Sequence, residues 1–374
     1  MKLAFTIFRY FPYGGLQLDF SRFLKEGLRR GHAITVLYDR WEGDFFAGAA
    51  YRQLECHGSA NYARAQEFER QTGEYAKAHP FDRIVGFNRM AGLDYYYAAD
   101  NCFISAARRK HPLVSRIFPR YRVFGRMEES VMGTGSKTVV FYLTEAQKRE
   151  YQFFYGTEEN RLRCLPPGVD PKFRLYPDTE RAAVRSRIRR EFGLPDDALL
   201  LIQVCSAFRT KGVDRVIRAL ADLPAFFRKK PFYLVAGNES KGFRNLAIRC
   251  GLERQVIFAG PRQDVPDLLT AADLMVHPAR EEATGTVLAE AAVCGLPAVC
   301  SAICGYAPIT AAAGGIVLPE PFTSRSLTEA MELTFRLPDA LECMKSDAVK
   351  YAHQTDFYHR TERFWDFIEE KTHA

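Results

Sequence analysis

The sequence predicts an α/β protein of two doubly wound, Rossmann-like domains facing a central cleft. Three observations carry this. The chain has 374 residues, more than one ordinary core accommodates. Short apolar strands alternate with helical segments, which is the pattern of βαβ units and parallel sheets. The alternation runs twice, on either side of the proline- and turn-rich stretch LPPGVDPKFRLYPD. This places an N-terminal domain at 1–165 and a C-terminal one at 166–350. The helical, aromatic-rich tail at about 350–374 is a candidate to pack back on the first.

The first unit opens with the strand KLAFTIF, the turn-rich YFPYGG and the helix LQLDFSRFLKEGLRRG, which stops at Gly31. HAITVLYDR follows as a strand. FDRIVGFN is the next strand, then a long helical stretch, then the strand KTVVFYLT. Thr144 is a plausible N-cap for the helix TEAQKREYQFFYG. Beyond the break come the strands ALLLIQVCS, FYLVAG, QVIFAG, DLMVHPA and PAVCS. Between them lie the helices GVDRVIRALADL, FRNLAIRCGL, DVPDLLTAA and TGTVLAEAAVCG. Open parallel sheets bind ligands at the carboxyl ends of their strands, so each domain offers one lip of a cleft.

Composition narrows the class. Apolar residues make up 47% and charged residues 26%, the balance of a soluble enzyme. No apolar run approaches the roughly 20 residues of a membrane helix. The start MKLAFTIFRYFPYGG has a short apolar stretch interrupted by Arg9 and no cleavage site. A cytoplasmic protein is expected. The nine cysteines contain no CxxC pair, which points to reduced thiols rather than a disulfide framework or zinc site. The net charge is +7, and seven basic residues lie between Ser105 and Arg126 without one Asp or Glu. That local patch, Arg108, Arg109, Lys110, Arg116, Arg120, Arg122 and Arg126, accounts for the whole excess. Its mixture with Val, Ile, Phe and Tyr suits an anionic membrane surface. With no nucleic-acid motif beside it, nucleic acid is not the expected partner.

The segment HPAREEATGTVLAEAAVCGLPAVCS carries the chemistry. A buried strand delivers a loop, and a helix begins near Thr284, Gly285 and Thr286. The free amides of such a start suit a diphosphate. Glu282 precedes the helix and Glu290 follows eight residues later, a little over two turns. A carboxylate accepts two sugar hydroxyls at once.

Glu-x7-Glu followed by A-x-x-x-G-L-P-A-V resembles the donor-site signature of the retaining glycosyltransferases of family 4, which have the GT-B fold. VIFAGPRQDVPDLLTAADLMVHPA resembles the same family's preceding strand–helix–strand. YFPYGGLQLDF, WEGD and GFNRMAGLDYYYAAD resemble the branch that glucosylates the inner-core heptose of bacterial lipopolysaccharide. The resemblance implies that Glu282 contacts the donor hexose and Glu290 the ribose. It lays the backbone of Thr284, Gly285 and Thr286 along sugar and phosphates, Arg262 near the base, and Gly14 and Gly15 near the diphosphate. Asp19 and Asp100 are the first-domain acids for sugar or acceptor, with a plain surface role as the alternative. Where the family shows Arg-Lys-Gly this chain reads SAFRTKGVDR. Lys211 fits, Thr210 stands in the arginine position, and Arg209 or Arg174 is the candidate substitute.

No HExxH or Asp-x-Asp occurs, so no metal or other cofactor is expected beyond the nucleotide sugar as co-substrate. The expected function is hexose transfer, from UDP-glucose to a lipid-linked saccharide at the inner face of the cytoplasmic membrane. Two alternatives stay open. One is a same-fold transferase with another donor or acceptor. The other is a non-catalytic nucleotide-sugar-binding protein at the membrane.

Overall fold

In the computed structural model, which describes residues 1–12, 14–110, 118–228, 231–238, 242–336 and 339–370, strand β1 (Lys2–Tyr10) is the organising element of the first unit. Its residues 3–7 are all buried, as a strand covered on both faces requires. Around it lie β2 (Ala33–Trp41), β3 (Ala50–Gln53), β4 (Arg83–Gly86), β5 (Tyr95–Tyr97), β6 (Val139–Tyr142) and β7 (Leu162–Cys164). The sheet is parallel, in the order β3-β2-β1-β4-β5-β6-β7. The helix Gly15–Arg29 buries Phe20, Phe23 and Leu24, spaced to share one face. Thr144 caps Glu145–Tyr155 through a reciprocal capping box with Gln147.

The division of the chain differs slightly from the expected boundary. One unit comprises Met1–Gly168 with His359–Ala374, and the other Val169–Tyr358. The C-terminal helix Arg360–Glu370 belongs to the first unit. Trp365 stacks on Phe5 with ring centres 5.8 Å apart, and Phe364 on Phe23 at 4.0 Å. Burying Phe364 alone contributes about 1.5–3 kcal/mol.

The second unit has a parallel sheet of β8 (Leu199–Val204), β9 (Pro231–Ala236), β10 (Val256–Gly260), β11 (Leu274–His277), β12 (Ala298–Ser301) and β13 (Ile316–Leu318). Its order is β10-β9-β8-β11-β12-β13. The strand order therefore reverses between β8 and β11, and a ligand crevice opens outside their carboxyl ends.

Several short elements depart from the expected string. The long helical stretch after FDRIVGFN is instead β5 and two helices, Phe103–Lys110 and Pro119–Met132. Tyr95, Tyr96 and Tyr97 are all buried, so this aromatic run is a core strand. β3, β7 and β13, of three or four residues each, and the helices Asn61–Ala78 and Asp178–Glu191 add to the expected elements.

Candidate active site

The crevice of the second unit is formed by two chain segments. After β8 the chain runs through Cys205 into a single helical turn, Phe208–Lys211. After β11 it runs from His277 through Pro278, Ala279 and Arg280 to Glu282. Arg280 fastens one segment to the other. Its guanidinium donates to Asp214 at 2.7 and 2.8 Å and to the Arg209 carbonyl at 2.6 Å. Its backbone N–H reaches the Thr210 carbonyl at 2.7 Å. Gly212 allows the close approach. Its φ is +79°, and a Cβ there would lie 2.1 Å from the Pro278 carbonyl oxygen. The Lys211 carbonyl accepts a 2.6 Å bond from Gln203, whose amide oxygen accepts from buried Tyr233.

This framework brings three side chains together. Lys211 Nζ lies 2.8 Å from Glu282 Oε2, and His277 Nε2 lies 3.1 Å from the same oxygen. Lys211 also donates to the Glu281 carbonyl at 3.2 Å. Burial pushes the Glu282 carboxyl up, but the bonds from His277 and Lys211 and the Lys211 charge outweigh it. They hold its pKa below the ordinary glutamate value. Burial pushes the neighbouring Cys205 thiol up to about 12, which makes it a poor nucleophile at neutral pH.

Four residues beyond Glu282 the helix Thr286–Val293 begins. Gly285 is its left-handed N-cap, with φ +80°. The Thr284 carbonyl accepts from the Tyr306 N–H at 2.7 Å, and the Thr284 and Thr286 hydroxyls are 3.5 Å apart. Glu290 is part-exposed on this helix. Glu282, Lys211, Thr284, Gly285 and Thr286 thus gather at the strand-order reversal, beside a helix start that presents amides to an anion.

Comparison with known proteins gives this arrangement a family. Residues 184–351 match the model for "Glycosyl transferases group 1". The lipopolysaccharide glucosyltransferase WaaG of Escherichia coli (strain K12) is 36% identical over 370 residues, 98% of this chain and 98% of that protein. The chain is a group 1 glycosyl transferase. A crystal structure of WaaG, a glycosyltransferase involved in lipopolysaccharide biosynthesis, superimposes with a TM-score of 0.86 at 36% identity, covering 98% of this chain and 99% of that one. The fold is accordingly GT-B, with two Rossmann-like domains. A D-inositol 3-phosphate glycosyltransferase of Xylanimonas cellulosilytica is 31% identical over 251 residues, 62% of this chain and 58% of that protein.

Other expected site residues of this glycosyl transferase have different surroundings. Arg209 lies on the same helical turn as Lys211 but two residues earlier, so the two side chains point to different sides. It is exposed, and its carbonyl accepts from Arg280. Arg174 pairs with Glu180 at 3.0 Å and stacks on Tyr176. Arg262 is gripped by both oxygens of Asp264, at 2.8 and 2.7 Å, and by Glu191 at 2.7 Å. Neither arginine joins the Lys211–Glu282 pair.

Asp19 lies on the helix after β1. It is buried, its Oδ2 accepting 2.5 Å from the Tyr97 hydroxyl and 2.7 Å from Arg360. Its carboxylate holds the C-terminal helix to the first unit. Gly14 and Gly15 begin the helix after β1, and open space lies where a Gly15 Cβ would point. Asp100 is 69% exposed, 3.7 Å from Arg89. It lines a cavity of about 240 Å³ within the first unit, together with Phe8, Asn88, Arg89, Phe103, Arg120 and Phe124.

Of the basic stretch, residues 111–117, which include Arg116 and Pro112, lie outside the described residues. Pro119 starts its helix at the first turn, and Phe118, Arg120 and Arg122 are exposed. Arg109 pairs with Glu150 at 2.9 Å, and Arg126 pairs with Glu69. Among the described residues no helix is long and apolar enough to cross a membrane, and no cluster of three His, Cys, Asp or Glu is placed to hold a metal.

Sequence reasoning missed His277, Arg280 and Gln203. His277 stood inside the quoted segment, but a lone histidine ending a buried strand reads as core. Only its distance to Glu282 distinguishes it.

Proposed function

We propose that this protein transfers glucose from UDP-glucose to a lipid-linked saccharide, the inner-core heptose of lipopolysaccharide, with retention of configuration. The observation that carries the reading is the Lys211–Glu282 pair at the strand-order reversal of the second unit, directly before a helix start. It is supported by 36% identity to a lipopolysaccharide glucosyltransferase across nearly the full length of both proteins.

In this reading Glu282 accepts hydrogen bonds from the hexose and Glu290 from the ribose. The amides at Thr284, Gly285 and Thr286 and the ammonium of Lys211 stabilise the diphosphate as charge develops on it. No metal is invoked. The acceptor hydroxyl attacks the anomeric carbon on the face from which UDP leaves. The new C–O bond forms as the bond to phosphate breaks, and the departing phosphate oxygen takes the proton. The first-unit cavity, with aromatic platforms beside Asn88, Arg89 and Asp100, takes the acceptor saccharide. The 105–126 stretch rests on the anionic cytoplasmic face of the membrane.

The test is UDP release from a panel of UDP-sugars with heptose-terminated lipopolysaccharide. UDP-glucose should turn over fastest and leave an α-linked product. Preference for another sugar, or no acceptor-dependent release, would overturn the reading. Charge reversal at Arg120 and Arg122 should weaken binding to anionic vesicles. Unchanged binding would remove the membrane from the account.

A further inference from the structure

Glu282 is bonded on one side only. Lys211 Nζ and His277 Nε2 both meet Oε2, at 2.8 and 3.1 Å. Among the described residues no hydrogen bond reaches Oε1. A carboxylate has about four acceptor positions, so one oxygen is held and the other is left to accept.

His277 is suited to this holding. It ends β11, where its backbone pairs with Cys300 of β12, and it is 1% exposed. Nε2 must carry the proton, because two bare acceptors would otherwise face each other at 3.1 Å. Nδ1 is buried with no partner among the described residues. A ring nitrogen left in that state is unfavourable, and an apolar side chain of similar volume would avoid it. What the imidazole adds over such a side chain is the bond to Glu282. Lys211 differs in kind. Its ammonium rides on a flexible four-carbon stem and is a point charge that any anion attracts. Once a diphosphate arrives Lys211 has two anions to serve, whereas the rigid imidazole has one.

We infer that His277 is a positioning residue of the donor site, which pins Glu282 Oε2 so that Oε1 is presented to a hydroxyl of the donor sugar. It touches no substrate and acts through Glu282. The inference rests on reading Glu282 as the carboxylate that holds the donor hexose.

The test uses the full-length protein with His277→Leu and His277→Gln, and with UDP and UDP-glucose as probes. Leucine fills the space without a donor, and glutamine restores an N–H at similar reach. His277→Leu should lower kcat about 10- to 100-fold, the loss expected for one hydrogen bond to a charged group. It should weaken UDP-glucose while leaving UDP affinity unchanged, and His277→Gln should recover most of the loss. In long-range proton–nitrogen spectra, the imidazole signal that disappears in His277→Gln should show the Nε2–H tautomer.

Wild-type kcat in His277→Leu would overturn the inference. So would equal loss of UDP and UDP-glucose affinity, glutamine as impaired as leucine, or an Nδ1–H tautomer. Glu282→Gln is measured alongside. If it turns over at the wild-type rate, the donor-site reading itself falls. If it is impaired while His277→Leu is not, only the positioning role falls.

Discussion

Removing the charge of Lys211 should cost both stability and transfer, and the two losses should be coupled to Glu282. The pair is 2.8 Å apart, with side chains 21% and 14% exposed. With charge centres ~4 Å apart and an effective dielectric of ~20, the attraction is about 4 kcal/mol before desolvation is subtracted. The net value of a hydrogen bond to a charged group is about 1.5–3 kcal/mol. Lys211→Met leaves a largely buried carboxylate with one donor, and Glu282→Gln leaves a part-buried ammonium without its counter-charge. The double variant removes both problems. The expected coupling is about 2 kcal/mol. For a unit of this size that is ~4–8 °C in melting temperature. UDP release should fall ~100-fold or more in either single variant, and little further in the double, as groups acting as a unit do. Melting temperatures and UDP release across the four proteins provide the cycle. If the single effects add within ~0.5 kcal/mol, the pair is not coupled and the reasoning fails.

Three further outcomes follow from the same geometry. Gly212→Ala places a Cβ 2.1 Å from the Pro278 carbonyl at φ +79°. It should destabilise by about 1–3 kcal/mol and displace Lys211 from Glu282, read as a lower melting temperature and lost UDP release. Arg360→Leu leaves buried Asp19 without its 2.7 Å partner. A loss of about 3–5 kcal/mol and early proteolysis of the C-terminal helix are expected, and an unchanged protease pattern would contradict the anchoring role. The Glu282 pKa is depressed in the fold, so its contribution to stability is present above the unfolded value of about 4.3 and is lost as pH falls through the folded value. Lys211→Met removes one of the interactions opposing burial, so the acid limb of UDP-glucose binding should move to higher pH, as titration calorimetry over a descending pH series from neutrality would record.

The fold and the donor segment were legible in the sequence for the same reason. Buried parallel strands read as apolar runs, and ALLLIQVCS and DLMVHPA are such runs, so the strand–loop–helix context of Glu282 was visible. Elements of three or four residues were not. Tyr95–Tyr97 carries too little pattern to separate a strand from a helix, and only burial on both faces reveals it. The anchoring of Asp19 was not legible, because its partner Arg360 is 341 residues away in sequence, a distance no local pattern spans. The grip on Arg262 by Asp264 two positions on and by the distant Glu191 is likewise seen only in the fold. The missing arginine at Thr210 looked like a defect in a loop. The structure makes that loop a helical turn locked by Arg280, which leaves Lys211 as the cation paired with Glu282.

The central claim is that Glu282 holds the donor hexose. The most direct measurement is the transfer rate of Glu282→Ala with UDP-glucose and heptose-terminated lipopolysaccharide, alongside its affinity for UDP. The account predicts a loss of ~100-fold or more in transfer with UDP affinity retained. Transfer at the wild-type rate would contradict it.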